Sequence, residues 1–181
     1  MIFRPLAIAG LLEILPERAR DERGAFFRSY CAEEFARVGV DFRPAQVSVS
    51  ENPRRHTLRG MHWQPAAAAE AKLIRCTRGT VHDVALDIRA GSTSFGRHAA
   101  VTLSAEAGNA FFIPGGFAHG FLTLTEDAAL EYIMDVPFVP GLGRGLRWND
   151  PGFAIRWPAP PAVISPRDAG WPDFVAAAGD A

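Results

Sequence analysis

Apolar residues fall along this chain in short runs, most of them alternating with polar ones and broken by Gly, Pro, Asn and Asp. A period of two marks extended strands. The pattern predicts strands over Ala25–Tyr30, Ala45–Ser50, Thr57–Trp63, Lys72–Thr77, Val81–Ile88, His98–Leu103, Ala110–Ile113, Gly120–Leu124 and Ala128–Val136. Helical periodicity is confined to Ala32–Val38 and a short tail near Pro172–Ala178. Many short strands at a spacing of about 8–12 residues mean a β-sandwich or barrel. Within Val81–Ile88, alternation sets Val84, Leu86 and Ile88 on one face and Asp83 and Asp87 on the other. Such an acidic face lines either solvent or a polar cavity, and a barrel holding a polar ligand requires the second.

Length sharpens the picture. With 181 residues, 48% of them hydrophobic, the chain has room for a single domain with a substantial core. No linker or repeat divides residues 1–181, and the tail from about residue 175 is expected to be disordered. A net charge of -1 gives no reason to expect nucleic acid or an anionic membrane as partner. Pro5 and Glu13 interrupt the apolar start where a signal peptide needs an unbroken run, so the chain reads as cytoplasmic. Cys31 and Cys76 lack the CxxC spacing and exclude a disulfide scaffold or a zinc ribbon.

One compositional bias carries chemistry. Of 19 basic residues only Lys72 is lysine, and only Tyr30 and Tyr132 are tyrosine beside 13 phenylalanines. In a chain that uses arginine wherever a surface cation suffices, a lone lysine asks for a reason. A compact ammonium fits where a planar guanidinium does not.

The segment Gly108–His119 has the spacing G-x5-P-x-G-x2-H. It resembles the second signature of the cupin β-barrels, in which the histidine points into the barrel. The first cupin signature would need a His-x-His pair, but His62-Trp63-Gln64 stands there with Glu70 further on. One imidazole of a three-histidine set is therefore missing, and no metal is expected. Further blocks follow in order: DERGAF at Asp21–Phe26, TLRGMHWQ at Thr57–Gln64, KLIRC at Lys72–Cys76, PGGFAHGF at Pro114–Phe121, RGLRWNDP at Arg144–Pro151 and SPRD at Ser165–Asp168. Together they resemble the dTDP-4-dehydrorhamnose 3,5-epimerase family over roughly Ile2 to Phe174.

That resemblance implies an all-β cupin or jelly-roll barrel with a few short peripheral helices. It implies a homodimer that exchanges strands near its N-terminus. It also implies an isomerase, needing no cofactor, that inverts carbons beside the C4 ketone of a nucleotide-diphosphate 4-keto-6-deoxy sugar in deoxysugar biosynthesis. Such chemistry needs a base, a donor at the enolate oxygen and an acid on the opposite face. By resemblance His62 is the base, Asp168 its hydrogen-bond partner, Lys72 the ammonium near the ketone oxygen and Tyr132 the acid. Arg23, Phe26, Gln46, Ser48, Arg59, Lys72, His119 and Arg167 match substrate-holding positions, and Phe138 that of an aromatic stacking on the base. His56, His82 and His98 match no motif and read as structural or solvated.

Four positions depart from the family pattern: Arg28 and Gly143 each replace a glutamate, Ser48 stands where Asn is common, and Arg167 replaces a lysine. The sugar chemistry reads as intact and the nucleotide contacts as altered. Two other readings stay open: a sugar-nucleotide-binding cupin with changed or lost catalysis, and a metal-dependent cupin oxygenase or isomerase. One geometric tension remains, because Arg59 and His62 are three apart and strict alternation sends them to opposite faces. A bulge at Gly60 would bring both to one cavity.

Overall fold

A computed structural model describes residues 1–174. The strands, in chain order, are β1 Ile2–Pro5, β2 Leu12–Leu15, β3 Ala19–Asp21, β4 Gly24–Phe26, β5 Gln46–Asn52, β6 Thr57–Trp63, β7 Lys72–Arg78, β8 Thr80–Asp87, β9 His98–Ser104, β10 Ala110–Ile113, β11 Phe117–Thr123, β12 Ala128–Met134, β13 Arg144–Gly145 and β14 Val163–Ile164. Two short helices accompany them, α1 Ala32–Arg37 and α2 Pro166–Ala169.

One sheet has the order β1-β2-β10-β7-β12-β5, and the other β13-β6-β11-β8-β9 with β14 beside β6. Their inner faces close over Ile74, Cys76, Ala85, Phe111, Phe121 and Leu130, which form the central core. A second cluster, Phe35 and Phe42 against Leu73 and Phe112, seals α1 to the outer face of the first sheet. A third lies outside the second sheet, where Met61, Val84 and Leu86 are covered by Phe153, Ile155, Trp157 and Phe174. Burial of these apolar faces on both sides of each sheet is the main source of stability. The arrangement is the all-β cupin barrel expected from the sequence.

Several local expectations shift. The strand expected over Ala25–Tyr30 shortens to β4, and β11 begins at Phe117 rather than Gly120. Strands β1, β2 and β3 escaped the alternation rule; β1 and β2 are short and β3 is exposed throughout. The tail helix expected at Pro172–Ala178 is absent over Pro172–Phe174, and its remainder lies outside the described residues. Pro166 instead starts α2, where Ser165 caps the helix by accepting from the Asp168 N–H.

The expected bulge is present. His62 pairs with His119 and Arg59 with Phe121, so three steps along β6 match two along β11. Gly60 sits at φ +133, and a Cβ there would stand 2.5 Å from the Gly120 Cα. Only glycine meets both conditions. Alternation in β8 also holds: Val84 and Leu86 pack outward while Asp83 and Asp87 are fully buried on the other face.

His82, outside every motif, is half-buried with Nε2 lacking a partner. Burial, opposed by Asp83 and reinforced by His98, pulls its pKa below the usual imidazole value; burial and Arg156 do the same to His98. Unfolded, both titrate near about 6.5, so below that pH the unfolded chain takes up more protons. Their stabilisation is complete above that value and is lost as pH falls through it. The thermal midpoint should therefore drop between about pH 7.5 and 5.5. His82→Gln should shrink that drop, and an undiminished drop would clear His82 of any part in it.

Candidate active site

Between the sheets, bordering the central core at Phe121 and Tyr132, opens a cavity of about 610 Å³. Ser48, Arg59, His62, Lys72, His119, Tyr132, Phe138 and Arg167 all line it. The two sheets supply opposite walls. β6 and β11 bring Arg59, His62 and His119, while β5, β7 and β12 bring Ser48, Lys72 and Tyr132.

His62 Nε2 lies 2.7 Å from Asp168 Oδ1. With the carboxylate as acceptor, Nε2–H donates, and Nδ1 is left as the basic nitrogen. Asp168 Oδ2 accepts from the Gly60 N–H at 3.2 Å, so the bulge also anchors the carboxylate. Burial alone would raise the Asp168 pKa, but hydrogen bonding and charge from His62, with the Gly60 N–H, hold it below the usual range. Asp168 does not reach the cavity itself. It stands behind the imidazole, whose side chain is 45% exposed and open to a ligand.

A second pair lies beside the first. His119 Nε2 donates to Asp83 Oδ1 at 2.8 Å, and both residues are buried. The Tyr132 ring meets the His119 ring edge-on with centroids 5.7 Å apart. Burial, aided by the Asp83 charge and opposed by Arg59, pushes the Tyr132 hydroxyl well above the usual phenol value. A phenol so placed keeps its proton at neutral pH and has one to give as an acid.

Lys72 opens β7, and its ammonium is 2.8 Å from Glu70 Oε1, with both side chains 10% exposed. Arg59 Nε donates to the buried Asn52 at 2.9 Å, which aims the guanidinium along the cavity wall. Arg144 and Arg167 stand at the mouth with Gly143. The set can bind an anion, hold a carbonyl oxygen and offer proton-transfer groups on two sides. Among the described residues no three His, Cys, Asp or Glu side chains gather as a metal-ligand set.

Two expected substrate residues are elsewhere. Arg23 and Phe26 flank the β3–β4 hairpin, are 84% and 79% exposed, and line a separate depression with Ala19 and Asp21. Within one chain they do not reach the cavity. Gln46 takes part only indirectly, accepting from the Phe138 N–H at 2.8 Å and donating to Ser48 at 3.1 Å. Arg28 is outside the cavity as well and pairs with Glu34 at 2.8 Å.

The structure adds Glu70, Gln64, Ser50 and Arg144 to the cavity lining and Asp83 behind His119. Asp83 was legible only as one of two acids on a strand face. Glu70 and Lys72 are two apart in an extended segment, and that spacing would have placed both on one face.

Residues 5–176 match the family model of dTDP-4-dehydrorhamnose 3,5-epimerase. A dTDP-4-dehydrorhamnose 3,5-epimerase of Sinorhizobium fredii is 38% identical over 175 residues, covering 96% of this chain and 90% of that protein. A dTDP-4-dehydrorhamnose 3-epimerase of Streptomyces niveus is 36% identical over 169 residues, covering 93% and 81%. The dTDP-6-deoxy-D-glucose-3,5-epimerase of Legionella pneumophila, solved in complex with dTDP-4-keto-L-rhamnose, superposes with a TM-score of 0.90 at 36% identity, covering 95% of this chain and 92% of that one. With the barrel and its two-walled cavity, these matches show that the chain belongs to the dTDP-4-dehydrorhamnose 3,5-epimerase family and is a sugar-nucleotide epimerase.

Proposed function

We propose that the cavity binds a nucleotide-diphosphate 4-keto-6-deoxy sugar and inverts one or both carbons flanking its ketone. The observation that carries this is the placement of an imidazole base and a protonated phenol on opposing sheets. His62, fixed by Asp168, removes the proton from one face of the sugar. The electron pair moves to the ketone oxygen, where the Lys72 ammonium meets the developing charge. Tyr132 returns a proton from the other face, and exchange with solvent restores both groups. Arg59, His119 and Arg167 hold the diphosphate and sugar, and Phe138 stacks on the base. A coupled NMR assay with the dTDP-linked 4-keto-6-deoxy sugar tests it. The expected result is product inverted at C3, with or without C5. Tight binding with no inversion at either carbon would favour the alternative of a non-catalytic binder.

A homodimer accounts for the residues the cavity lacks. Phe26, Val47 and Val49 are exposed apolar side chains on the hairpin and on the edge strand β5. Exchange of the N-terminal hairpins would carry Arg23 and Phe26 to the neighbouring cavity. No described helix is long and apolar enough to cross a membrane. The free thiols of Cys31 and Cys76 fit a reducing compartment such as the cytoplasm.

The same exchange would bring Arg28 toward the nucleobase. A guanidinium offers only donors, whereas thymine's imide N–H needs an acceptor. Leaving that group unpaired costs about 1–3 kcal/mol. Titration of dTDP, UDP, GDP and CDP should show weak discrimination among bases. A preference for dTDP above about tenfold over all three would mean that thymine finds another acceptor.

A further inference from the structure

Glu70 is bound on both sides. Its Oε1 meets the Lys72 ammonium at 2.8 Å, and its Oε2 accepts from the Gln64 amide at 3.2 Å. All three side chains line the cavity, and none is more than about one-tenth exposed. Gln64 follows His62 on the same stretch of chain, so the chain of contacts ties the wall carrying the imidazole to the wall carrying the ammonium.

The orientation of Gln64 is informative. Its amide nitrogen must face Glu70, because an amide oxygen at that distance would oppose a carboxylate. Gln64 Oε1 is consequently left buried without a partner. Gln64 therefore holds the Glu70 carboxylate on the side away from Lys72.

From this geometry we propose that Glu70, braced by Gln64, is a positioning residue for Lys72 in the epimerisation. This rests on the reading of the site given above. An ammonium on a four-carbon stem has many rotamers and three donors. Glu70 takes one donor and fixes the nitrogen, leaving two donors for the ketone oxygen. It also balances the Lys72 charge. No proton moves through Glu70. During enolisation the substrate proton goes to His62 and the electron pair to the ketone oxygen, while the Lys72 N–H bonds stay intact.

The test is a double-mutant cycle read by deuterium wash-in from heavy water, using the dTDP-linked 4-keto-6-deoxy sugar. Glu70→Gln is isosteric and removes only the charge, and Glu70→Ala removes the contact. Either should slow wash-in by about tenfold or more, the size of direct coupling between touching residues. The fall should appear in kcat, with KM changed by less than about threefold. In a Lys72→Ala background, the Glu70 changes should add less than about a further twofold, because their effect runs through Lys72. Equal losses in both backgrounds, or wash-in unchanged by both Glu70 variants, would overturn the proposal. Absence of wash-in in the wild-type protein would instead overturn the catalytic reading on which it rests.

Discussion

Replacing His62 with alanine should lower turnover by on the order of 10²–10⁴-fold, the usual worth of a positioned general base. Its Nε2 is committed to Asp168 at 2.7 Å, leaving Nδ1 as the basic nitrogen of an imidazole open to the cavity. His119, also paired to a carboxylate, should not substitute, because its side chain is 6% exposed and that of His62 is 45% exposed. The fold should survive the change, since the His62 side chain is 45% exposed. Far-UV circular dichroism and the thermal midpoint check that point while a progress curve measures the rate. Retention of more than about half the wild-type rate by a folded variant would remove His62 from the mechanism.

Lys72→Arg keeps the charge and should still fail. The ammonium occupies a niche closed by Glu70, at the point where β7 is flanked by β10 and β12. A guanidinium is longer, planar and limited to fixed donor directions, so its charge would be displaced from the ketone oxygen. Loss of a donor at a developing oxyanion typically costs on the order of 10²–10³-fold in kcat. Nucleotide affinity should change little, because the proposed reading assigns the diphosphate and base to Arg59, His119, Arg167 and Phe138. Near-normal exchange of substrate protons in Lys72→Arg would show that the position needs only a positive charge.

Lys72 also shows what the sequence could reveal before any coordinates. A chain with 18 arginines and one lysine marks that lysine by composition, and its place at the start of a buried strand agrees. The sandwich was legible for a similar reason, since alternation in β8 and β12 records which face each residue turns to the core. Arg59 and His62 were three apart, and the glycine between them signalled the bulge that reconciles them. What stayed hidden depended on contacts distant in sequence. Asp83 meets His119 across 36 positions, and no local period carries that information. Short edge strands such as β1 and the exposed β3 lack a sustained apolar face, so they gave no signal. The cavity's independence from Arg23 and Phe26 within one chain was likewise invisible, because a motif records residue identity and not the wall it stands on.

The central claim is that a proton leaves one face of a ketone-flanking carbon and another returns from the opposite wall. Deuterium incorporation by the wild-type protein in heavy water, read by NMR at C3 and C5 together with the configuration of each carbon, tests it most directly. The account predicts that every inverted carbon carries solvent deuterium, because His62 and Tyr132 both exchange with water before the return step. Inversion with the original hydrogen retained at that carbon would contradict it.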